Sequence, residues 1–236
     1  MTPSSAVYTR STRLYSPLNL TLQAINKVLH SSVIHYIALI MSHLPAPRRI
    51  AASNLPLASH HADDKHAEPG VEVKVDDLEV QPLFDGSLRR AIVATSKQFP
   101  PSNDGHGELP LDEVPGAGIV LPGGLNMYYI DVAPHTEGAL HRTTSTDYLV
   151  VINGKLSLLT PKPDAYQVRD GKATCGELVE TICHPGDVVA QRGPMHALSN
   201  RTNEWIRVLA VVLSSSTNKV PVGQSGHHRE LQDQWL

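Results

Sequence analysis

Two histidines and one aspartate are the residues of this chain best suited to chemistry. His141 opens the run HRTTSTDY (141–148), which carries Asp147, and His196 lies near the end of PGDVVAQRGPMHALSN (185–200). An imidazole titrates close to neutral pH, so it can move a proton or lend a nitrogen lone pair to a metal. Two imidazoles and a carboxylate converging from separate strands leave positions open on a bound ion, a set that suits iron(II) and oxygen. The same groups without an ion can polarise a carbonyl and transfer a proton. Arg142 and Arg192 sit inside the two histidine-bearing segments. A guanidinium can grip a carboxylate substrate bidentately, or pair with Asp147 or Asp187 across neighbouring strands. The sequence leaves both readings open.

These side chains need rigid supports, and the surrounding pattern supplies strands. Apolar runs at 118–121, 125–133, 148–152, 155–160, 177–183, 187–191 and 205–214 are expected as strands. Turn signals divide them: PGG at 122–124, NG at 153–154, DG at 170–171 and PGD at 185–187. An Asn-Gly pair between apolar runs marks a hairpin, because the tight turn needs positive φ at both central residues. Many short strands at this spacing indicate a barrel or sandwich. No helix-length periodic segment lies between them, which disfavours βαβ units. Tyr128, Tyr129 and Tyr148 are candidates for the barrel mouth, and alternation sends Tyr128 and Tyr129 to opposite faces. Upstream, VEVKVDDLEV (71–80) alternates as a strand does, and 88–94 is a shorter candidate. The histidines His60, His61 and His66 fall in a polar loop and read as solvated. The expected organisation is an extension at 1–42, an N-terminal arm at 43–115, a β-barrel at 116–214 and a C-terminal tail at 215–236.

Length and composition narrow the partners. The 236 residues, 41% hydrophobic and 18% charged, suit one domain with a sizeable core. A net charge of −3 argues against a nucleic-acid partner, which would ask for a basic surface. No apolar run reaches the length of a membrane span. Two cysteines build no disulfide framework, so Cys175 and Cys183 are expected as free thiols, Cys183 the less accessible. Five basic residues (Arg10, Arg13, Lys27, Arg48 and Arg49) precede the first acidic one, Asp63. Such a start reads either as a transit peptide, which would make the protein mitochondrial, or as an extension before a functional start at Met41, which would leave it cytoplasmic. Asn200-Arg201-Thr202 matches a glycosylation pattern and is read as coincidence.

The two histidine segments resemble the paired motifs of the cupin superfamily. In the first, G-x5-H-x-H-x3,4-E-x6-G, the positions of both histidines, the glutamate and the final glycine are held by His141, Thr143, Asp147 and Gly154, while His135 replaces the opening glycine. In the second, G-x5-P-x-G-x2-H-x3-N, Gly186, Gly193, His196 and Asn200 match, with one residue fewer between the glycines. A closer similarity is to the small single-domain cupins of fungal secondary-metabolite gene clusters, which share HRT-x3-DY and PGD-x3-QRG-x2-H-x3-N. In them a segment like LPAPRRIAASN lies near the start, which supports Met41 as the functional beginning. The resemblance implies an all-β jelly roll, the double-stranded β-helix barrel, with an extended N-terminal arm. It implies a site of His141, His196, Asp147 and Arg142, with one divalent metal (iron, zinc, nickel or manganese) on His141, Asp147 and His196, or the same residues working metal-free. The expected activity is lyase or isomerase chemistry on a polyketide-like or aromatic carbonyl compound: decarboxylation, proton transfer or dehydration. The alternatives are an iron(II) dioxygenase at the same site and a non-catalytic metabolite-binding module, the latter kept open by Thr143 in place of a ligand. Cupins also pair through N-terminal strands, so a homodimer through Val71–Val80 is expected.

Overall fold

The computed structural model describes residues 44–224 and 226–236. The extension and its transit-like reading lie outside the described residues. Alternating apolar residues punctuated by Pro and Gly fold into β1 (Arg48–Asn54), β2 (Val71–Asp77), β3 (Gln81–Leu83), β4 (Leu88–Ser96), β5 (Leu125–Val132) and β6 (His141–Arg142). There follow β7 (Ser145–Asn153), β8 (Leu156–Pro161), β9 (Tyr166–Arg169), β10 (Lys172–Cys175), β11 (Leu178–Cys183) and β12 (Val188–Arg192). The chain ends with β13 (Ala197–Ser199), β14 (Ile206–Ser214), β15 (Asn218–Pro221), β16 (His228–Leu231) and β17 (Gln234–Trp235). Only two 3-10 turns, at Ser59–His61 and Phe84–Gly86, interrupt the strands among the described residues.

The architecture is the expected jelly roll. A six-stranded antiparallel sheet in the order β12-β7-β14-β5-β4-β3 faces a three-stranded sheet, β11-β8-β13. Their inner faces meet in one core of Tyr128, Val132, Leu149, Val151, Leu156, Cys183, Ile206 and Val208. A second apolar cluster, Leu140, Leu159, Met195 and Ala197, lies beneath the histidine segments. The Asn153-Gly154 turn joins β7 to β8, but it does not make the expected hairpin: the two strands belong to different sheets, and Gly154 alone of the pair has positive φ. Gly154 has φ of +77°, and a Cβ there would collide with the Ile206 side chain, so glycine is required twice over. Cys175 and Cys183 are both free, and Cys183 is buried. Burial, with Asp187 second, pushes the Cys183 thiol up. No helix among the described residues is long and apolar enough to cross a membrane.

Other expectations also need correction. Residues 118–121 do not form a strand. Gly118 adopts φ of +71°, and its carbonyl and that of Ile119 accept hydrogen bonds from Asn126 Nδ2 at 3.1 and 2.8 Å. A side chain thus takes the acceptors that a neighbouring strand would need. Residues 215–236 are no tail either: they form the β15–β16 hairpin and β17, which pairs with β6. Within the expected arm only β1 and β2 stand apart, as a hairpin with Arg48 opposite Asp77 and Asn54 opposite Val71; β3 and β4 belong to the six-stranded sheet. Arg49 ties the hairpin down. Its Nη2 meets Asp76 Oδ2 at 2.8 Å, and its Nη1 donates to the carbonyl of Val93 at 3.1 Å, where the β4–β5 register slips.

Candidate functional site

His141 and His196 are brought together by their backbones. Each donates its N–H to the other's carbonyl, at 2.8 and 2.9 Å, an isolated antiparallel bridge that turns both side chains to one side. The rings stand 4.4 Å apart, inclined at 50°. His141 Nδ1 lies 2.9 Å from the Ala139 carbonyl and His196 Nδ1 lies 3.1 Å from that of Pro194. A carbonyl only accepts, so each Nδ1 carries the proton and each Nε2 keeps a lone pair. Burial lowers the basicity of His141. For His196 burial, with His141 second, pushes the pKa down to about 4. Both rings are therefore neutral at neutral pH and ready to accept a proton at Nε2.

Residues 232–236 complete this corner. Trp235 stacks on His141, and the Leu236 N–H donates to the Leu140 carbonyl at 2.9 Å. Arg142 Nε donates to the Gln232 carbonyl at 2.9 Å, and Thr144 Oγ1 donates to Asp233 Oδ1 at 2.6 Å.

Behind the histidines, a polar layer crosses the inner face of the large sheet. Gln191 sits opposite Asp147, Asp147 opposite Val212, and Val212 opposite Asn126. All three polar residues are buried, yet Asp147 Oδ1, Asn126 Oδ1 and both amide atoms of Gln191 have no hydrogen-bond partner. Each such group costs about 1–3 kcal/mol in a folded chain. Burial pushes the Asp147 carboxyl up, against a hydrogen bond from Ser145. Below this layer lies Tyr128, whose phenol burial and the charge of Asp147 hold above its ordinary range. Tyr129 turns outward against Arg207, and Tyr148 is exposed.

The residues do not fit the metal that the resemblance implies. Among the described residues no three His, Cys, Asp or Glu side chains are grouped so as to hold one ion. His141 and His196 are paired, and Asp147 belongs to the polar layer instead. Thr143, at the position of the motif's second imidazole, is buried and holds Ser145 Oγ at 2.9 Å. His135 offers no replacement, because its Nε2 bonds Asn203 Oδ1 at 2.8 Å on the exposed side. Neither Arg142 nor Arg192 pairs with Asp147 or Asp187. Asp187 instead closes the PGD turn by accepting the His184 N–H at 2.7 Å. Sequence reasoning missed Gln191 and Trp235. Alternation in DVVAQ, which puts Val189 and Gln191 on one face, was a usable signal for the first; no local signal marked the second.

The facing sheets form a jelly roll, and the two histidine segments bridged on it resemble the paired cupin motifs. Curated proteins that this chain matches include three named as biosynthesis cluster proteins of fungi. It is 34% identical over 99 residues to phomopsin biosynthesis cluster protein D of Diaporthe leptostromiformis, covering 42% of this chain and 44% of that protein. It is 30% identical over 125 residues to the cupin-domain-containing oxidoreductase fogC of Aspergillus ruber, covering 52% and 54%. The chain thus spans about half the length of the curated relatives it matches. No protein-family model matches it. Among solved structures, the cupin-2 domain protein Rru_A2000 of Rhodospirillum rubrum aligns with a TM-score of 0.37 at 12% identity, over 63% of this chain and 78% of that one.

Proposed function

We propose that this cupin is a small-molecule enzyme of specialised metabolism that moves a proton next to a carbonyl, the first step of an isomerase or lyase reaction. One observation carries the reading: two neutral imidazoles, each with Nδ1–H committed to a backbone carbonyl, present two basic Nε2 atoms at one place. A base held below neutral basicity by burial needs no prior deprotonation at pH 7. Nε2 of His196 or His141 takes the proton from the carbon beside the carbonyl. The enolate oxygen then needs donors in a site with little water. The Gln191 amide, buried and unpartnered, supplies one, and the Thr143–Ser145 hydroxyl pair supplies another. The proton returns at a second carbon in an isomerisation, or assists the leaving group in a dehydration or decarboxylation.

Thr143 in place of a ligand, and Trp235 laid over His141, favour metabolite binding without turnover as the second reading. The dioxygenase reading asks for a three-ligand group that these residues do not form. In the same proposal the chain acts as a homodimer through the exposed apolar face of the arm.

The test is hydrogen–deuterium exchange at C2 of α-tetralone in heavy water, followed by NMR. Wild type should accelerate exchange over buffer, and His196→Ala and His141→Ala should each lose most of that acceleration. Exchange no faster than buffer, together with saturable binding of the ketone, would put the binding-module reading first.

A further inference from the structure

We propose that Trp235 occupies a flat aromatic site on His141, and that an uncharged aromatic ketone binds there by displacing the indole. The inference rests on the enzymatic reading above and adds to it the shape of the substrate and the part that moves. In the described arrangement the histidine pair is closed. His196 is 4% exposed, so a ketone reaches its Nε2 only if a neighbour gives way. Two neighbours flank the pair. Leu140, Leu159, Met195 and Ala197 form one of the apolar clusters of the core, and shifting them would open the interior. Trp235 is the other, and it is lightly held. Its strand β17 pairs with β6 over two residues. The remaining ties of residues 232–236 are the Leu236 N–H to the Leu140 carbonyl, Arg142 Nε to the Gln232 carbonyl and Thr144 Oγ1 to Asp233 Oδ1. The last two are exposed. A short segment held by exposed bonds opens at far lower cost than a packed core.

A pocket supplies the approach. It encloses about 390 Å³ between residues 115–122 and residues 233–235, within the range of small-molecule sites. Ile119, Val120, Thr143 and Trp235 line it, and His141 does not. A ligand entering there meets the indole before it meets His141. The opposite wall is fixed, because Asn126 is fully buried and its Nδ2 holds the carbonyls of Gly118 and Ile119. The indole is therefore the side that yields. No Lys, Arg or His lines the pocket, and its one carboxylate, Asp233, accepts from Thr144. That lining favours an uncharged ligand.

The stack itself gives the ligand's shape. Indole and imidazole planes lie within 9° of parallel with centroids 4.5 Å apart, so the space over His141 is that of one flat ring. Trp235 nonetheless remains 47% exposed, and a ring that leaves the stack loses only part of its cover. An indole that competes for the imidazole lowers a ligand's apparent affinity by the fraction of molecules in which the site is vacant. An indole that only fastens β17, or that serves the ligand as a platform, does the opposite or nothing. Removing it separates the two by sign.

The test is isothermal titration of α-tetralone into the full chain. Trp235→Ala should bind it about fivefold or more tightly than wild type. In that variant 1-decalone, the saturated counterpart, should bind at least about fivefold more weakly than the tetralone, since it has no flat ring to stack. Asp233→Ala keeps the indole, removes the Thr144 tie and should tighten binding by a smaller factor. Trp205→Phe leaves Trp235 as the sole tryptophan, and its emission should shift to the red as bound tetralone sends the indole into water. The last two variants carry the test if Trp235→Ala does not fold. Equal or weaker binding in folded Trp235→Ala, no gain in Asp233→Ala, no preference over 1-decalone, an unmoved emission with ligand bound, or no saturable binding up to about 10 mM would each overturn the proposal. Deuterium exchange at C2 keeps the two readings apart. Tighter binding in Trp235→Ala with exchange in neither protein leaves the displaced indole standing and ends the enzymatic reading. Exchange by wild type with no gain in Trp235→Ala does the reverse.

Discussion

The indole of Trp235 lies flat on the imidazole of His141, with ring centroids 4.5 Å apart and planes within 9° of parallel. The stack covers one face of the ring, and burial is the chief cause of that histidine's lowered basicity. His196 stands 4.4 Å from the same ring, tilted by 50°, so His141 has a β17 residue and a residue preceding β13 as its ring neighbours.

Trp235→Ala should therefore raise the pKa of His141 toward the ordinary histidine value. An NMR titration of the His141 ring protons reads this directly. A companion loss of about 1–2 kcal/mol in urea unfolding is expected from the lost aromatic contact. An unchanged His141 titration would show that the indole contributes nothing to its environment.

His196 sets a pH dependence. Its folded pKa of about 4 lies below the ordinary 6.5, so the unfolded chain takes up the proton first. Stability present above about pH 6.5 is lost as pH falls toward 4, by about 3 kcal/mol in all. Asp147 works the other way: its raised pKa makes the folded chain the better proton binder, which adds stability as pH falls. Urea unfolding across about pH 7 to 4 should show a steeper acid loss for wild type than for His196→Gln. Parallel curves would contradict the assignment.

Arg207 and Asp131 form the most buried ion pair among the described residues, with bonds of 2.6 and 2.7 Å. Arg207→Ala should cost about 3–5 kcal/mol, because it strands a carboxylate away from water. The double change Arg207→Met with Asp131→Leu should recover most of that loss. A mild effect of the single change, measured by thermal unfolding, would show that solvent reaches the pair.

Because His141, Asp147 and His196 are not one ligand group, dialysis against a chelator should leave thermal stability and deuterium exchange unchanged. A drop in both, restored by one divalent ion, would mean that the side chains regroup around a metal.

Ile50, Val71, Val73 and Val75 stand exposed together on one face of the arm, Ile50 directly opposite Val75. Light scattering at micromolar concentration should give a dimer, and Val73→Glu a monomer. A monomeric wild type would leave that face without a partner copy.

The longer strands were legible because period-two alternation and Gly or Pro turns act within a few residues of each other. Val71–Asp77, Leu88–Ser96 and Leu125–Val132 fall close to their expected places. The histidine pair was legible for the same reason, since each residue sits in a recognisable turn-and-strand segment. The loss at 118–121 came from Asn126, whose side chain competes for carbonyls that no propensity assigns to it. The C-terminal strands were missed because β17 is two residues long and draws its order from a distant partner, β6. Asp147 was grouped with the histidines by spacing, whereas its place in the sheet puts it level with Gln191 and Asn126.

Asn200 carries a consequence for the choice of expression host. Its Nδ2 donates to the carbonyls of Val132 and Glu204, at 2.9 and 2.7 Å, and its Oδ1 accepts from the Thr202 backbone and hydroxyl. The side chain is fully enclosed. A secretory host would meet Asn200-Arg201-Thr202 on the nascent chain, before this turn exists. A sugar added there would remove one of the two N–H donors and place a bulky glycan where no space remains. Material made through such a route should misfold around β13 and β14, whereas cytosolic expression, or an Asn-sparing Thr202→Ala change in a secreted version, should avoid the lesion.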